Sequence, residues 1–249
     1  VTVTTNGDGA TSIIAYNGGT GGDTLLLETS VDISDSTVTL TSVEKIDFQT
    51  DGTISSTLVS GKTFIVDGNA DSDITVVVDA TTVDLGNLAM ETGMQDANDS
   101  VTIDGSGNAL AQSITGTSVI DIITGGSSGD TIVAGDGADN VTGGGGADSI
   151  DLGSDTAADD LTFSATTDGG AAGVLALTAG DTVTNFESTE DTISFITAYA
   201  FGNMGGTTAN AADAVAYGAG VNQNDTDGGG AVNTVQVFAS GAATATSAD

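Results

Sequence analysis

Gly116–Asp151 reads GTSVIDIIT GGSSGDTIV AGDGADNVT GGGGADSID, four consecutive frames of nine residues. The sixth position is acidic in every frame: Asp121, Asp130, Asp139 and Asp148. The eighth is aliphatic in every frame: Ile123, Ile132, Val141 and Ile150. Gly107–Thr115 (GNALAQSIT) is a degenerate frame in the same phase, with Ile114 in the eighth slot. Downstream, Leu152–Thr162 keeps the pattern after a two-residue insertion, giving Asp159 and Leu161. A single further copy, Gly18–Leu26 (GGTGGDTLL), places Asp23 and Leu25 in the same slots. Such a period means stacked units, because one frame cannot bury its own apolar residue. Six residues make a turn and three make a short strand, with the eighth pointing inward. Two frames complete a coil of about 18 residues, and coils stack at about 4.8 Å. Asp130 then lies over Asp148 on one edge, while Asp121, Asp139 and Asp159 stack on the other.

Composition supports the same architecture. The chain has 249 residues, with 37 Gly, many Val, Ile and Thr, and no Pro. Aromatic residues make up only 4%, so a thick globular core is not expected. Strand-like pieces outside the frames are Thr37–Leu40, Val43–Phe48, Phe64–Asp67, Ile74–Asp79, Val83–Leu85 and Val101–Asp104. They are separated by Gly, Asn and Asp, as in a β-solenoid or sandwich. The expected fold is all-β, a parallel β-roll or β-solenoid with little helix. Thr208–Tyr217 is the one expected short helix, and Asn222–Gly230 is an expected loop. Three stretches follow: 1–106, a solenoid or sandwich-like segment with one isolated frame; 107–162, the nonapeptide roll; and 163–249, a β-rich capping and assembly region.

Charge narrows the chemistry. There are 35 acidic side chains against two basic ones, Lys45 and Lys62, a formal net charge of −33. That opposes binding to nucleic acid or to anionic lipid. No apolar run is long enough for a membrane helix. With no His or Cys, no Ser-His-Asp triad, Cys nucleophile, Cys/His zinc site or His/Cys-ligated haem can be built. Gly125–Gly129 spells G-x-S-x-G, but no His exists to activate Ser127. Ser42–Lys45 spells S-x-x-K without its companion motifs, and Gly61–Thr63 ends like a P-loop that lacks its first Gly. The chain is expected not to be an enzyme. Asp67–Asp73 (DGNADSD) opens like an EF-hand loop, but Ser72 and Val78 replace the Gly and Glu that such a loop needs, so it reads as a plain acidic turn.

Stacked carboxylates repel unless a cation lies between them. Calcium takes 6–8 oxygens at about 2.3–2.6 Å, which facing turns can supply from Asp side chains and carbonyls, whereas magnesium demands a stricter octahedron. The frames G-G-x-G-x-D-x-U-x, with U aliphatic, are similar to the RTX (repeat-in-toxin) family, whose repeat is described as a calcium-binding parallel β-helix. The copy at 143–151 matches every fixed slot, and the copy at 125–133 departs only at Ser128. Gly180–Phe195 (GDTVTNFESTEDTISF) is similar to the segment that follows such repeats, with Asp181, Phe186, Asp191, Ile193 and Phe195 in its slots. Residues 196–238 more loosely resemble the ends of RTX-bearing bacterial surface-layer proteins, and Ser42–Phe48 (SVEKIDF) resembles strands of surface-layer and adhesin solenoids.

The resemblance implies several calcium ions, held by Asp121, Asp130, Asp139, Asp148 and Asp159 with Asp23 as an outlying candidate. Turn positions Gly125, Ser127, Gly129, Ala134, Asp136, Ala138, Gly143 and Gly145 would supply further oxygens. Each site with calcium at about ten times its Kd contributes about 1.4 kcal/mol, so four or five amount to roughly 6–7 kcal/mol, comparable with a domain's whole stability. The resemblance further implies a protein exported by type I secretion to the bacterial cell surface. There it would self-assemble through calcium-bridged contacts between copies, with cell-surface polysaccharide as a further expected partner. A calcium-dependent adhesin module, or the non-catalytic tail of a larger secreted protein, is the alternative. A chain that starts at Val1 without Met is expected to be a segment or processed product of a longer polypeptide.

Overall fold

A computed structural model describes residues 15–164 and 181–195, apart from 28–29, 35–37, 70–71, 96 and 188–189. The expected helix at 208–217, the loop at 222–230 and the assembly region beyond 195 lie outside the described residues.

Every strand pairing among the described residues is parallel. Parallel neighbours far apart in sequence require a crossover, and here the chain simply coils. A long sheet runs through Val31–Ile33, Gly52–Ser55, Ile74–Val77, Val101–Asp104, Asp121–Thr124, Asn140–Thr142, Asp160–Phe163 and Thr192–Phe195. Facing its C-terminal part is a second sheet of Thr82–Asp84, Ser113–Thr115, Thr131–Val133, Ser149–Asp151 and Thr182–Thr184. An N-terminal sheet holds Thr24–Leu27, Lys45–Phe48, Ile65–Gly68 and Ala89–Met90, and Ala15–Asn17 pairs with Thr39–Thr41. The protein is therefore a parallel β-solenoid. All three stretches expected from the sequence contribute strands to the long sheet.

The coil length follows the nonapeptide arithmetic. Ile114 pairs with Ile132, Ile132 with Ile150, and Ile123 with Val141, each a step of 18 residues. Val141 pairs with Leu161, a step of 20 that absorbs the two-residue insertion. The inward column of the long sheet is Ile33, Ile54, Val76, Ile103, Ile123, Val141, Leu161 and Ile193, all buried. Strand residues on either side face out, so an alternating pattern of short β-branched strands builds a narrow core.

The described helical elements are two single turns, Ser56–Val59 and Thr92–Met94. The first sits at a corner where Ser55 and Ser56 are buried. Asp79, one coil on, accepts from both hydroxyls at 2.7 and 2.5 Å and from the Thr57 amide at 3.2 Å. Nothing in the nonapeptide pattern signals this corner. It exists because a carboxylate from the next coil satisfies the amide and hydroxyls that a tight turn leaves open.

Candidate metal centre: two ladders of buried aspartate

The sixth residue of each frame begins or immediately precedes a strand, so its side chain turns into the corner where turn meets strand. Asp121, Asp130, Asp139, Asp148 and Asp159 are all at most 5% exposed. Asp181 and Asp191, further along, are buried as well. They form two ladders, as the 18-residue coil requires. On one edge the amide N–H of Asp121 donates to Asp139 at 2.8 Å, that of Asp139 to Asp159 at 2.8 Å, and that of Asp159 to Asp191 at 3.0 Å. On the other, Gln112 donates to Asp130 at 2.7 Å, Asp130 to Asp148 at 2.8 Å, and Asp148 to Asp181 at 2.9 Å. Each carboxylate thus reaches back to the coil before it.

The same side chains also close their own turns. Asp121 Oδ2 accepts from the Thr117 amide at 2.6 Å, Asp130 Oδ2 from the Gly126 amide at 2.7 Å, and Asp191 Oδ2 from the Glu187 amide at 2.7 Å. A carboxylate fits here because it offers acceptors only, and tight turns leave N–H groups without partners. Asp139 Oδ2 is buried with no hydrogen-bond partner.

The chain's two cationic side chains lie elsewhere. Lys45 is committed elsewhere, 2.7 Å from both Asp67 and Glu91, and Lys62 lies in an exposed turn of the N-terminal part. Burial is the main cause that lifts three carboxyls above the ordinary range, and like charge adds to it. Asp121 is pushed well up by burial and by Asp139, against hydrogen bonds from Thr117. Asp139 is pushed to about 7 by burial and by Asp159, Asp155 and Asp136. Asp159 is pushed to about 6 by burial, Asp191 and Asp155. Ionised and unneutralised, these groups oppose the fold that buries them.

The turns crowd oxygen around the ladders. A Cβ on Gly125 would strike the Gly143 carbonyl oxygen and come within 2.7 Å of Asp130 Oδ2, and a Cβ on Gly143 would strike Asp148 Oδ2. Gly135 and Gly137 have φ of +126° and +133°, which residues with a Cβ rarely adopt, and they lie against the carbonyls of Thr117 and Val119. Among the described residues no three carboxylates converge on one point, so a cation here would draw largely on carbonyls. The donor set suits a hard cation. It is all oxygen, it is anionic, Asp139 Oδ2 is unused, and an oxygen that accepts one N–H keeps a second lone pair.

The other expected positions are distributed as follows. Gly125 donates to Thr142 O, Ser127 to Asn108 O, Gly145 to Gly126 O and Ala134 to Asp151 O, so these turn amides join one coil to a neighbouring one. Gly129 packs against the Ala147 carbonyl. Asp136 and Ala138 are exposed on their turn. Asp23 stands apart on the N-terminal sheet. Its amide donates to Glu44 Oε2 at 2.8 Å, the relation seen within the ladders, while its own Oδ2 is buried without a partner. The Asp67–Asp73 turn does not gather its oxygens: Asp67 meets Lys45, and Asp73 accepts from the Ser100 amide and hydroxyl at 3.0 and 2.7 Å.

Fold and site together define a parallel β-solenoid with acidic ladders at two corners. No family model, curated protein or solved structure matches the chain.

Proposed function

We propose that the protein is an extracellular structural module of RTX type whose solenoid is completed by calcium and which self-assembles at the bacterial surface. The observation that carries the reading is the pair of ladders. Seven buried aspartates recur on successive coils, in a chain with two basic side chains and a net charge of −33. Burying an unpaired charge costs several kcal/mol, and a bound cation removes that cost. Asp121, Asp130, Asp139, Asp148 and Asp159 would hold the ions together with turn carbonyls. What calcium supplies is positive charge and a flexible oxygen shell. The chain's residues supply the cage and the β-branched core beneath it.

Calcium dependence would suit an exported protein, since the aspartate coils stay unfolded where calcium is scarce and close where it is plentiful. Self-assembly follows the same electrostatics: so acidic a surface repels its own copies until counterions intervene. The test is calcium added to chelator-stripped protein, followed by far-UV circular dichroism and light scattering, with magnesium as control. A β signal that grows with calcium, accompanied by scattering, supports the reading. A β signal without scattering removes self-assembly and leaves the monomeric adhesin or tail. No response to calcium defeats the metal reading.

A further inference from the structure

The long sheet is continuous, yet its corner changes chemistry between two adjacent strands. Along one register line the corner residues are Val31, Gly52, Ile74 and Val101, followed directly by Asp121. Val31, Ile74 and Val101 are buried and apolar; every later corner on that line is a buried aspartate. The second corner line changes at the same place. Gln112 holds the slot that Asp130, Asp148 and Asp181 hold afterwards, and its Nε2 donates to the Gly105 carbonyl at 2.9 Å. There a neutral amide makes a donor contact that an ionised carboxylate cannot make.

Three further observations divide the molecule at the same point. Of the eight buried acidic side chains among the described residues, only Asp99 precedes Gln112. Both lysines of the chain precede it, and Lys45 bridges two coils through Asp67 and Glu91. The core before the boundary includes Phe48, Phe64, Met90 and Met94, whereas the buried apolar residues described after it are Ile, Val, Leu and Ala, with Phe163 the one larger ring. Larger apolar groups remove more surface from water, at about 25 cal/mol per Å².

We propose that the solenoid has a cation-independent half, the described coils up to Gln112, which folds first and serves as the template for a cation-requiring half, the described coils from Ser113 on. Strands Val101–Asp104 and Thr82–Asp84 present the ready edges. Asp121–Thr124 and Ser113–Thr115 dock on them in register, and each added coil then needs a cation for its corner. Folding proceeds from the N-terminal coils towards the C-terminal ones. The device rests on the calcium reading above and adds a direction and a boundary to it.

The experiment is hydrogen exchange with peptide-level mass spectrometry on the full chain, in chelator and then in millimolar calcium. In chelator, amides of Lys45–Phe48, Gly52–Ser55, Ile74–Val77 and Val101–Asp104 should exchange at least about 100-fold more slowly than free peptides, while those of Asp121–Thr124, Thr131–Val133 and Asn140–Thr142 stay within about 10-fold of them. Calcium should then slow the second group alone. If both groups exchange freely in chelator and gain protection together, the division is overturned while the calcium reading survives. If both groups are protected in chelator and calcium changes neither, the calcium reading fails and takes the division with it.

Discussion

Replacing Asp139 by Asn should let the aspartate coils fold at higher pH when no divalent cation is present. Asp139 is 1% exposed, its Oδ2 has no partner, and its carboxyl sits near 7 instead of 3.8. The folded state therefore holds a proton there more tightly than the unfolded chain does. That contribution is fully present below about pH 4 and is lost as pH rises towards 7. At pH 6 the ionised group disfavours the fold by about 3 kcal/mol relative to a neutral residue. The Asn amide returns about 1 kcal/mol of this, because its new N–H groups enter the same buried pocket. The net gain is about 2 kcal/mol. Asp121, raised well above its ordinary range, and Asp159, raised to about 6, also take up protons on folding, so the remaining stability still climbs as pH falls. The midpoint of acid-induced folding in chelator, followed by far-UV circular dichroism from pH 8 to 4, should rise by on the order of one pH unit. In saturating calcium the same variant should be less stable than the wild type, because a ligand is gone. An unchanged or lowered midpoint in chelator, with the variant folded in acid, would refute the claim that the buried charge opposes folding.

Other outcomes follow from the same geometry. Ile132→Ala empties a fully buried site between Ile114 and Ile150 and should cost about 2–5 kcal/mol in urea denaturation with calcium present. Gly137→Ala should cost about 1–3 kcal/mol, because φ is +133° and its Cβ meets the Val119 carbonyl. Gly107→Ala, with open space around it, should stay within about 0.5 kcal/mol. Lys45→Met removes the bridge to Asp67 and Glu91, whose hydrogen bonds hold the ammonium above its usual range. These groups are partly exposed, so the loss should be at most about 1 kcal/mol, smaller in high salt, and without effect on calcium affinity.

The repeat was readable because phase and chemistry coincide in it. The aliphatic eighth slot gives Ile123, Ile132, Val141 and Ile150 as the core, and nine residues doubled give the 18-residue register. The strands near 45–48, 65–68, 74–77 and 101–104 also appear in the sequence as β-branched pieces between turns. Gly52–Ser55 and Ala89–Met90 escaped because their side chains are small or short-lived as patterns: Gly52 holds a corner by making room for the Phe48 ring, not by filling space. The Asp79 corner was invisible because its hydroxyl partners, Ser55 and Ser56, come from the preceding coil. Sequence spacing placed Asp121, Asp139 and Asp159 on one edge and Asp130 and Asp148 on the other. It did not reveal that Asp181 and Asp191 extend both ladders, since 33 and 32 residues separate them from Asp148 and Asp159. Their position in the segment after the repeats was the available signal. Nor did it reveal that Glu44 answers Asp23, because a glutamate in the sixth slot hides the frame.

The most direct measurement is the number of calcium ions bound, by equilibrium dialysis of chelator-stripped protein against radiolabelled calcium, beside a variant carrying Asn at positions 121, 130, 139 and 148. The account predicts several ions per wild-type chain and a loss of most of them in the variant. Equal binding by both proteins, or none by the wild type at millimolar calcium, would contradict it.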